Sequence, residues 1–377
     1  MNIHIHPVTL DHASRILKCL ESAGRSGCFD SRSFIGAGAE KNYQITDASG
    51  NVQVRLFPRA SGPRSRAFMK LAATLVWGQK VKAYASKLPL KCINVHGLST
   101  LRLGVTLKRR RGCKLIYDTH ELETKVLPMR GLRGMYSERF ERTLISYCDA
   151  VICVSDGIAD WYAKAYGIPR PLVVRNVPDR RSQIPTKAVE SLRTVCRISP
   201  TGLLFLYQGG LSAGRQIELF VEVFARLSAQ HHLVFMGRGE MEDLVRHASA
   251  KHSNIHLCPP VPPKDVLSFT TQADVGLVGM ENTCLNHYLS LPNKFFEYLT
   301  AGVPVVIPDF PEMRRVIDNH RCGWSWSGGV AELSALFEKL SADEIREKRH
   351  KAMGAGKELS WQKEEQHILH LYHRLLN

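Results

Sequence analysis

A chain of 377 residues exceeds the size over which one hydrophobic core keeps growing, so two domains are expected. Lys and Arg outnumber Asp and Glu by 51 to 35, a formal charge of +16, which implies an anionic partner: nucleic acid, an acidic membrane surface or a phosphorylated substrate. No apolar run approaches the roughly 18 residues of a membrane helix, and the N-terminus has no charged start followed by an apolar core. Ten scattered cysteines without a Cys-x-x-Cys pair read as buried thiols in a reducing compartment, so a cytoplasmic protein without a structural metal is expected.

Residues 3–6 form a short alternating strand whose two-residue period puts His4 and His6 on one face, read as polar rather than as ligands. A helix to about residue 23 follows, then strands at 33–37 and 52–56. From 59 to 91 there are eight basic residues (Arg59, Arg64, Arg66, Lys70, Lys80, Lys82, Lys87, Lys91) and no acidic one, interleaved with Phe68, Leu71, Leu75, Val76, Trp77 and Tyr84. Such a helix reads as a lipid-facing segment on an anionic membrane, or equally as a solvated helix with an ordinary core face. Lys108, Arg109, Arg110, Arg111 and Lys114 extend the basic patch. Strand 92–95 ends in His96-Gly97 and leads into a helix to about 111; strand 114–117 ends in Asp118-Thr119-His120-Glu121. Ligands bind beyond the carboxyl ends of strands in an open parallel sheet, so these two histidine-bearing ends matter more together than either alone. A helix at 134–148 and a strand at 150–154 follow, with Ser155 capping a helix through 166, and strand 172–174 comes last. The first domain is placed at 1–180. A Pro-, Ser- and Arg-rich stretch of weak periodicity is read as the linker, 181–202.

From 203 to 355 strand alternates with helix more cleanly. Strands at 203–207, 233–236, 255–258, 275–278 and 303–307 imply a doubly wound parallel sheet. Residues 356–377 are expected to pack back on the first domain as a terminal helix. Gly209, Gly210 and Gly214 lie between a strand and a helix, where glycine lets backbone amides approach a phosphate, or serves packing alone; Arg215 stands ready to clamp such an anion. Gly237-Arg238-Gly239-Glu240 repeats the device. Neither run has dinucleotide or P-loop spacing. In 291–306, LPNKFFEYLTAGVPVV, Pro292 marks a first helical turn, Asn293 helps to satisfy its amides, and Gly302 ends the helix before a buried strand. Glu297 sits among Phe295, Phe296, Leu299 and Ala301. It is either paired with Lys294 or solvated at the helix edge, or it binds hydroxyls above a helix tip that holds a phosphate.

Tyr207-Gln208-Gly209, Arg215, Met236-Gly237-Arg238-Gly239 and the PNK-x-x-EY-x-x-AG-x-PVV run together resemble the C-terminal domain of retaining glycosyltransferases of family 4. Val95-His96-Gly97, residues 117–122 (YDTHEL) and residues 150–156 (AVICVSD) are similar to that family's N-terminal domain, and the likeness spans about 91–317. It implies the GT-B architecture, an α/β fold of two Rossmann-like doubly wound domains facing a cleft. It further implies a nucleotide diphosphate sugar as donor substrate, with no cofactor and no metal. By the resemblance Glu297 bonds the ribose; Gly209, Gly210, Gly237, Asn293, Lys294 and Arg215 line the diphosphate; His120 faces the reacting sugar; and His96, Asp118 and Glu121 lie on the acceptor side.

Two departures stand out. The family's earlier glutamate falls at Leu289, and the earlier of its two basic residues falls at Gly210, which gives Arg215 a larger share of the charge and makes Lys294 an alternative anchor. The implied chemistry is departure of the diphosphate stabilised by Arg215, Lys294 and helix amides, with retention at the anomeric carbon. The expected acceptor is a glycan or polyprenyl-linked glycan of the cell surface, with the enzyme peripheral on the inner face of the plasma membrane and no nucleic-acid partner. A sugar-nucleotide epimerase of the same fold, a non-catalytic anion-binding relative and a nucleic-acid binder are the alternatives.

Overall fold

The computed structural model describes residues 1–10, 13–59, 67–127, 129, 131–179, 190–199, 201–259, 261–262 and 265–377. The chain divides into two units, Met1–Arg175 with Glu364–Asn377, and Asn176–Lys363. This division falls ahead of the expected 181–202 linker, of which 181–189 and 200 lie outside the described residues. Most of the helix Trp361–Leu376 belongs to the first unit, whereas Ala342–Glu358 stays in the second, where Gly356 lets it approach the Leu299 carbonyl.

The first unit is one sheet of β1 (Asn2–Ile5), β2 (Arg32–Ala37), β3 (Lys41–Asp47), β4 (Gly50–Phe57), β5 (Cys92–His96), β6 (Lys114–Asp118), β7 (Ala150–Cys153) and β8 (Leu172–Val173), in the order β3-β4-β2-β1-β5-β6-β7-β8. Every pairing is parallel except that of β3 with β4. The chain steps from β1 outward to β2 on one side and later to β5 on the other. In open parallel sheets ligands bind beyond the carboxyl ends of the strands that flank such a reversal, here β1 and β5.

β1 is buried along its whole length, because a central parallel strand is covered on both faces. The polar face expected for His4 and His6 is therefore interior. Its polar groups find partners across the sheet: Asn2 Nδ2 donates to Asn94 Oδ1 at 2.9 Å, and His4 Nδ1 meets His96 Nε2 at 2.9 Å. The terminal helix closes this side, with Glu365 accepting from Ser22 Oγ and Arg25, and Tyr372 packed edge-on against Phe29. Further along the sheet, buried Glu141 accepts from the hydroxyls of Tyr117, Tyr162 and Tyr166, so the carboxylate is tied by three donors.

The helix Ala67–Ala85 presents one core face and one outer face. Trp77, expected among the lipid-facing residues, is buried and its indole donates to the Gly36 carbonyl at 3.0 Å; Val81 and Ala85 follow it inward at helical spacing. Leu75 and Val76 face out, 55% and 57% exposed, with Lys80 beside them. Arg59 bonds Thr74, and Lys91 pairs loosely with Asp30. Arg64 and Arg66 lie outside the described residues, as do the side chains of Phe68, Lys70 and Leu71. In the second basic cluster Lys108 is neutralised by Asp149 at 2.6 Å and Arg109 stacks over Tyr147.

The second unit is a six-stranded parallel sheet of β9 (Leu203–Gln208), β10 (His231–Met236), β11 (Ile255–Cys258), β12 (Val275–Leu277), β13 (Val305–Pro308) and β14 (Gly323–Trp326), ordered β11-β10-β9-β12-β13-β14. Its reversal lies between β9 and β12. One side is filled by Phe205, Tyr207, Phe220, Phe224, Phe235 and Phe337, whose rings pack edge-on or tilted against one another among buried aliphatic residues. On the other side Tyr298 fixes the helix Asn293–Thr300 to the switch point. Its hydroxyl accepts from Gln208 N at 2.9 Å and donates to the Leu206 carbonyl at 2.8 Å. Gly276 makes room for the ring, since a Cβ there would stand 2.5 Å from it. With Tyr298 pinned, Glu297 is delivered to the end of β9.

Candidate active site

In the second unit the loops after β9 and β10 pack face to face. A Cβ on Gly237 would lie 1.8 Å from the Gly209 carbonyl oxygen, and one on Gly239 would lie 2.1 Å from that of Leu211, so only glycine permits this approach. Gly209 is left-handed at φ +106°, which turns the chain sharply at the strand end. The space beside Gly210 is open to 3.9 Å, so its lack of a cationic side chain is a choice of residue and not a demand of packing.

Lys294 points back over this loop. Its ammonium nitrogen is buried while the stem is partly open. It makes no hydrogen bond among the described residues and sits 3.7 Å from the centre of the Tyr207 ring. Burial, with the positive charge of Arg215, lowers it to about 7 against the weaker pull of Glu297. The ion pair between Lys294 and Glu297 is not formed. Instead Glu297 Oε2 accepts from Gln208 Nε2 at 2.6 Å, and Gln208 is itself oriented by Thr270 Oγ1, which donates to Oε1 at 2.7 Å. Asn293 does not cap the helix as expected: Pro292 holds the cap position without a side-chain cap bond among the described residues, and Asn293 Oδ1 accepts from Asn176 Nδ2 at 2.9 Å. The assembly is a carboxylate fixed by an amide, two cations, a glycine turn and an uncapped helix tip. It suits a ligand with hydroxyls at one end and phosphates at the other.

In the first unit His96 Nδ1 lies 3.0 Å from His120 Nε2 and 3.3 Å from Asp118 Oδ2. Burial would raise the Asp118 carboxyl, but Arg15 forks onto it at 2.8 and 3.1 Å and holds it well below the usual carboxylate range. Burial, which outweighs Asp118, keeps His120 well below its ordinary value. His6 stacks on the His120 ring with centroids 5.5 Å apart. Glu121, placed on the acceptor side by the sequence, is exposed and stands outside this cluster.

The model of Glycosyltransferase Family 4 matches residues 37–177, and that of Glycosyl transferases group 1 matches residues 202–343. The chain belongs to the family 4 glycosyltransferases. No curated protein sequence matches this glycosyltransferase. Among solved structures it is similar to sucrose-phosphate synthase from Thermosynechococcus elongatus (TM-score 0.77, 14% identity, covering 100% of this chain and 99% of that one). It is also similar to Anabaena HepE in complex with UDP-glucose (0.72, 13%, 99% and 100%) and to the lipopolysaccharide outer core galactosyltransferase WaaB (0.64, 12%, 97% and 98%). The two parallel-sheet Rossmann-like units are those of the GT-B fold.

Within the second unit of the glycosyltransferase, Gly209, Gly210, Gly237, Asn293, Lys294 and Glu297 gather at the β9–β12 switch point, with Arg215 near enough for its charge to act on Lys294. Within the first, His96, Asp118 and His120 gather and Glu121 does not. Sequence reasoning missed Gln208, Thr270, His4 and Arg15. Gln208 was read only as part of the Tyr207-Gln208-Gly209 run and given no role of its own; the others come from distant elements.

Proposed function

We propose that this glycosyltransferase takes its sugar from a nucleotide diphosphate sugar and passes it, with retention at the anomeric carbon, to a glycan or polyprenyl-linked acceptor of the cell surface. The observation that carries the donor half is the unpartnered Lys294 ammonium above the Gly209 turn, beside a Glu297 carboxylate held by Gln208. A buried cation without a counter-ion is costly, and a diphosphate on the glycine turn supplies one. Lys294 and Arg215 then stabilise the charge that develops as the diphosphate departs, in the role a metal takes elsewhere. Glu297 receives the ribose hydroxyls. His120 meets the reacting sugar, with His96 and Asp118 behind it. HepE binds UDP and UDP-glucose, which favours a uridine donor, and WaaB, a lipopolysaccharide outer core galactosyltransferase, is in keeping with a surface glycan.

A panel of nucleotide sugars screened by thermal shift is the direct test. One member should raise the melting temperature by several degrees at saturating concentration, and NMR of the product should show the anomer of the donor. A panel with no stabilising member, or an inverted product, contradicts the proposal. For the membrane foothold the outward residues of the helix Ala67–Ala85 replace the whole segment 59–91: Leu75→Ser with Val76→Ser should release the protein from anionic vesicles in a sedimentation assay. Unchanged co-sedimentation rejects this face.

A further inference from the structure

The ends of β1, β5 and β6 carry a chain of imidazoles that the donor site does not use. His4 Nδ1 faces His96 Nε2 at 2.9 Å, and His96 Nδ1 faces His120 Nε2 at 3.0 Å. Each such contact holds one proton, and the surroundings decide on which nitrogen. Asp118 is anionic and locked by Arg15, and its Oδ2 stands 3.3 Å from His96 Nδ1. A bare lone pair on that nitrogen would face a carboxylate, so His96 Nδ1 carries the proton. It points it at His120 Nε2, which must accept.

The far end of the chain is fixed by burial. His4 is fully buried and its Nε2 has no hydrogen-bond partner among the described residues. A proton there would be an orphaned donor, costlier than an orphaned lone pair, so His4 carries its proton on Nδ1 and donates to His96 Nε2. Both links thus run in one direction, from His4 through His96 to His120. His6, kept neutral at about 4 by burial and His96, stacks on the His120 ring and holds its plane. The other charges facing the chain, Arg32 near His4 and Arg59 near His6, are cations that oppose an imidazolium.

We infer that His4 and His96 are positioning residues that hold His120 as its Nδ1–H tautomer, so that the 28% exposed ring offers the sugar a hydrogen-bond donor and not a base. Nδ1 of His120 has no protein partner among the described residues. The inference rests on the proposed placement of His120 beside the sugar, but the tautomer itself does not. A divalent metal at His96, Asp118 and His120 is the competing account, since their ligand atoms lie within 4.8 Å of one another. Two features oppose it. Arg15 cancels the charge of Asp118, and metal on His96 Nδ1 would put the proton on Nε2, reversing the link and leaving His4 with the buried orphan donor.

The test is a two-bond proton–nitrogen NMR correlation on the full chain labelled with 15N-histidine, with His120 assigned by loss of its signals in His120→Ala. The expected spectrum shows a pyridine-type Nε2 and a pyrrole-type Nδ1 for His120. A pyrrole-type Nε2, or an equimolar zinc retained through dialysis, overturns the inference. His96→Leu should release His120 to the Nε2–H tautomer, lower kcat by roughly 10- to 100-fold and leave the donor KM within about threefold. His96→Asn, whose amide can replace the Nδ1 donor, should restore most of kcat. Loss of kcat in His96→Leu with the wild-type tautomer retained also overturns the inference. The wild-type spectrum decides even where a variant fails to fold. If His120→Ala transfers sugar normally, the functional placement of His120 fails while the spectrum still reports the tautomer.

Discussion

Replacing Glu297 by Ala should weaken binding of the cognate nucleotide sugar by about 3 kcal/mol, roughly a hundredfold in Kd by isothermal calorimetry, without unfolding the second unit. The size follows from the ribose, two of whose hydroxyls lose a charged acceptor. Gln208 Nε2, now bonded to Glu297 at 2.6 Å, loses its acceptor in the free and the bound protein alike, a cost to stability and not to affinity, while its Oε1 stays held by Thr270 at 2.7 Å. The fold should survive, because the helix is anchored by the next residue: Tyr298 keeps its bonds to Gln208 N and the Leu206 carbonyl, and Phe295, Phe296 and Leu299 keep their burial. A 2′-deoxyribonucleotide sugar sharpens the measurement into a cycle. Wild type should bind it at least tenfold more weakly than the ribonucleotide, and Glu297→Ala should scarcely distinguish the two. Equal discrimination in both proteins would mean that the carboxylate serves the helix and not the ribose.

The helix and strand at 291–306 were legible because proline, glycine and an unbroken β-branched run each restrict the backbone locally. The same holds for Ser155, whose hydroxyl accepts from Ile158 N as its place after a strand predicts. β3 was not legible. Its residues are mostly exposed, an edge strand held by one neighbour and by the Arg32–Asp47 pair, and its alternation is only two apolar residues long, Tyr43 and Ile45, too short to read as a strand. The two faces of the helix at 67–85 were blurred for a related reason: apolar residues surround it, and only packing decides that Trp77 turns in while Val76 turns out. The partner of His4 was not legible, because His96 is 92 residues away and is brought across by parallel pairing of β1 with β5. Periodicity reports which side of a strand a residue takes. It does not report whether that side is covered.

Lys294 should make donor binding pH-dependent. In the free protein burial and Arg215 lower its ammonium to about 7, so near neutrality an appreciable fraction is uncharged. A diphosphate stabilises the charged form and raises that value, so binding takes up a proton wherever the free lysine is neutral. Affinity for a nucleotide sugar, whose diester phosphates do not titrate in this range, should be highest below pH 7. Above it affinity should fall by up to about tenfold per pH unit until the bound-state value is passed. The sign for folding is consistent with this. The free enzyme bears the full cost of the buried cation below pH 7 and sheds it as pH rises toward the ordinary lysine range, so ligand stabilisation should be largest on the acid side. Lys294→Met fills the same space over Tyr207 without a charge. It should bind the donor roughly 10- to 100-fold more weakly at pH 6.5 and show a flat profile to pH 9. A profile that keeps its slope in Lys294→Met would assign the proton to another group. One that is flat in wild type would mean that Arg215 and the helix tip neutralise the diphosphate by themselves.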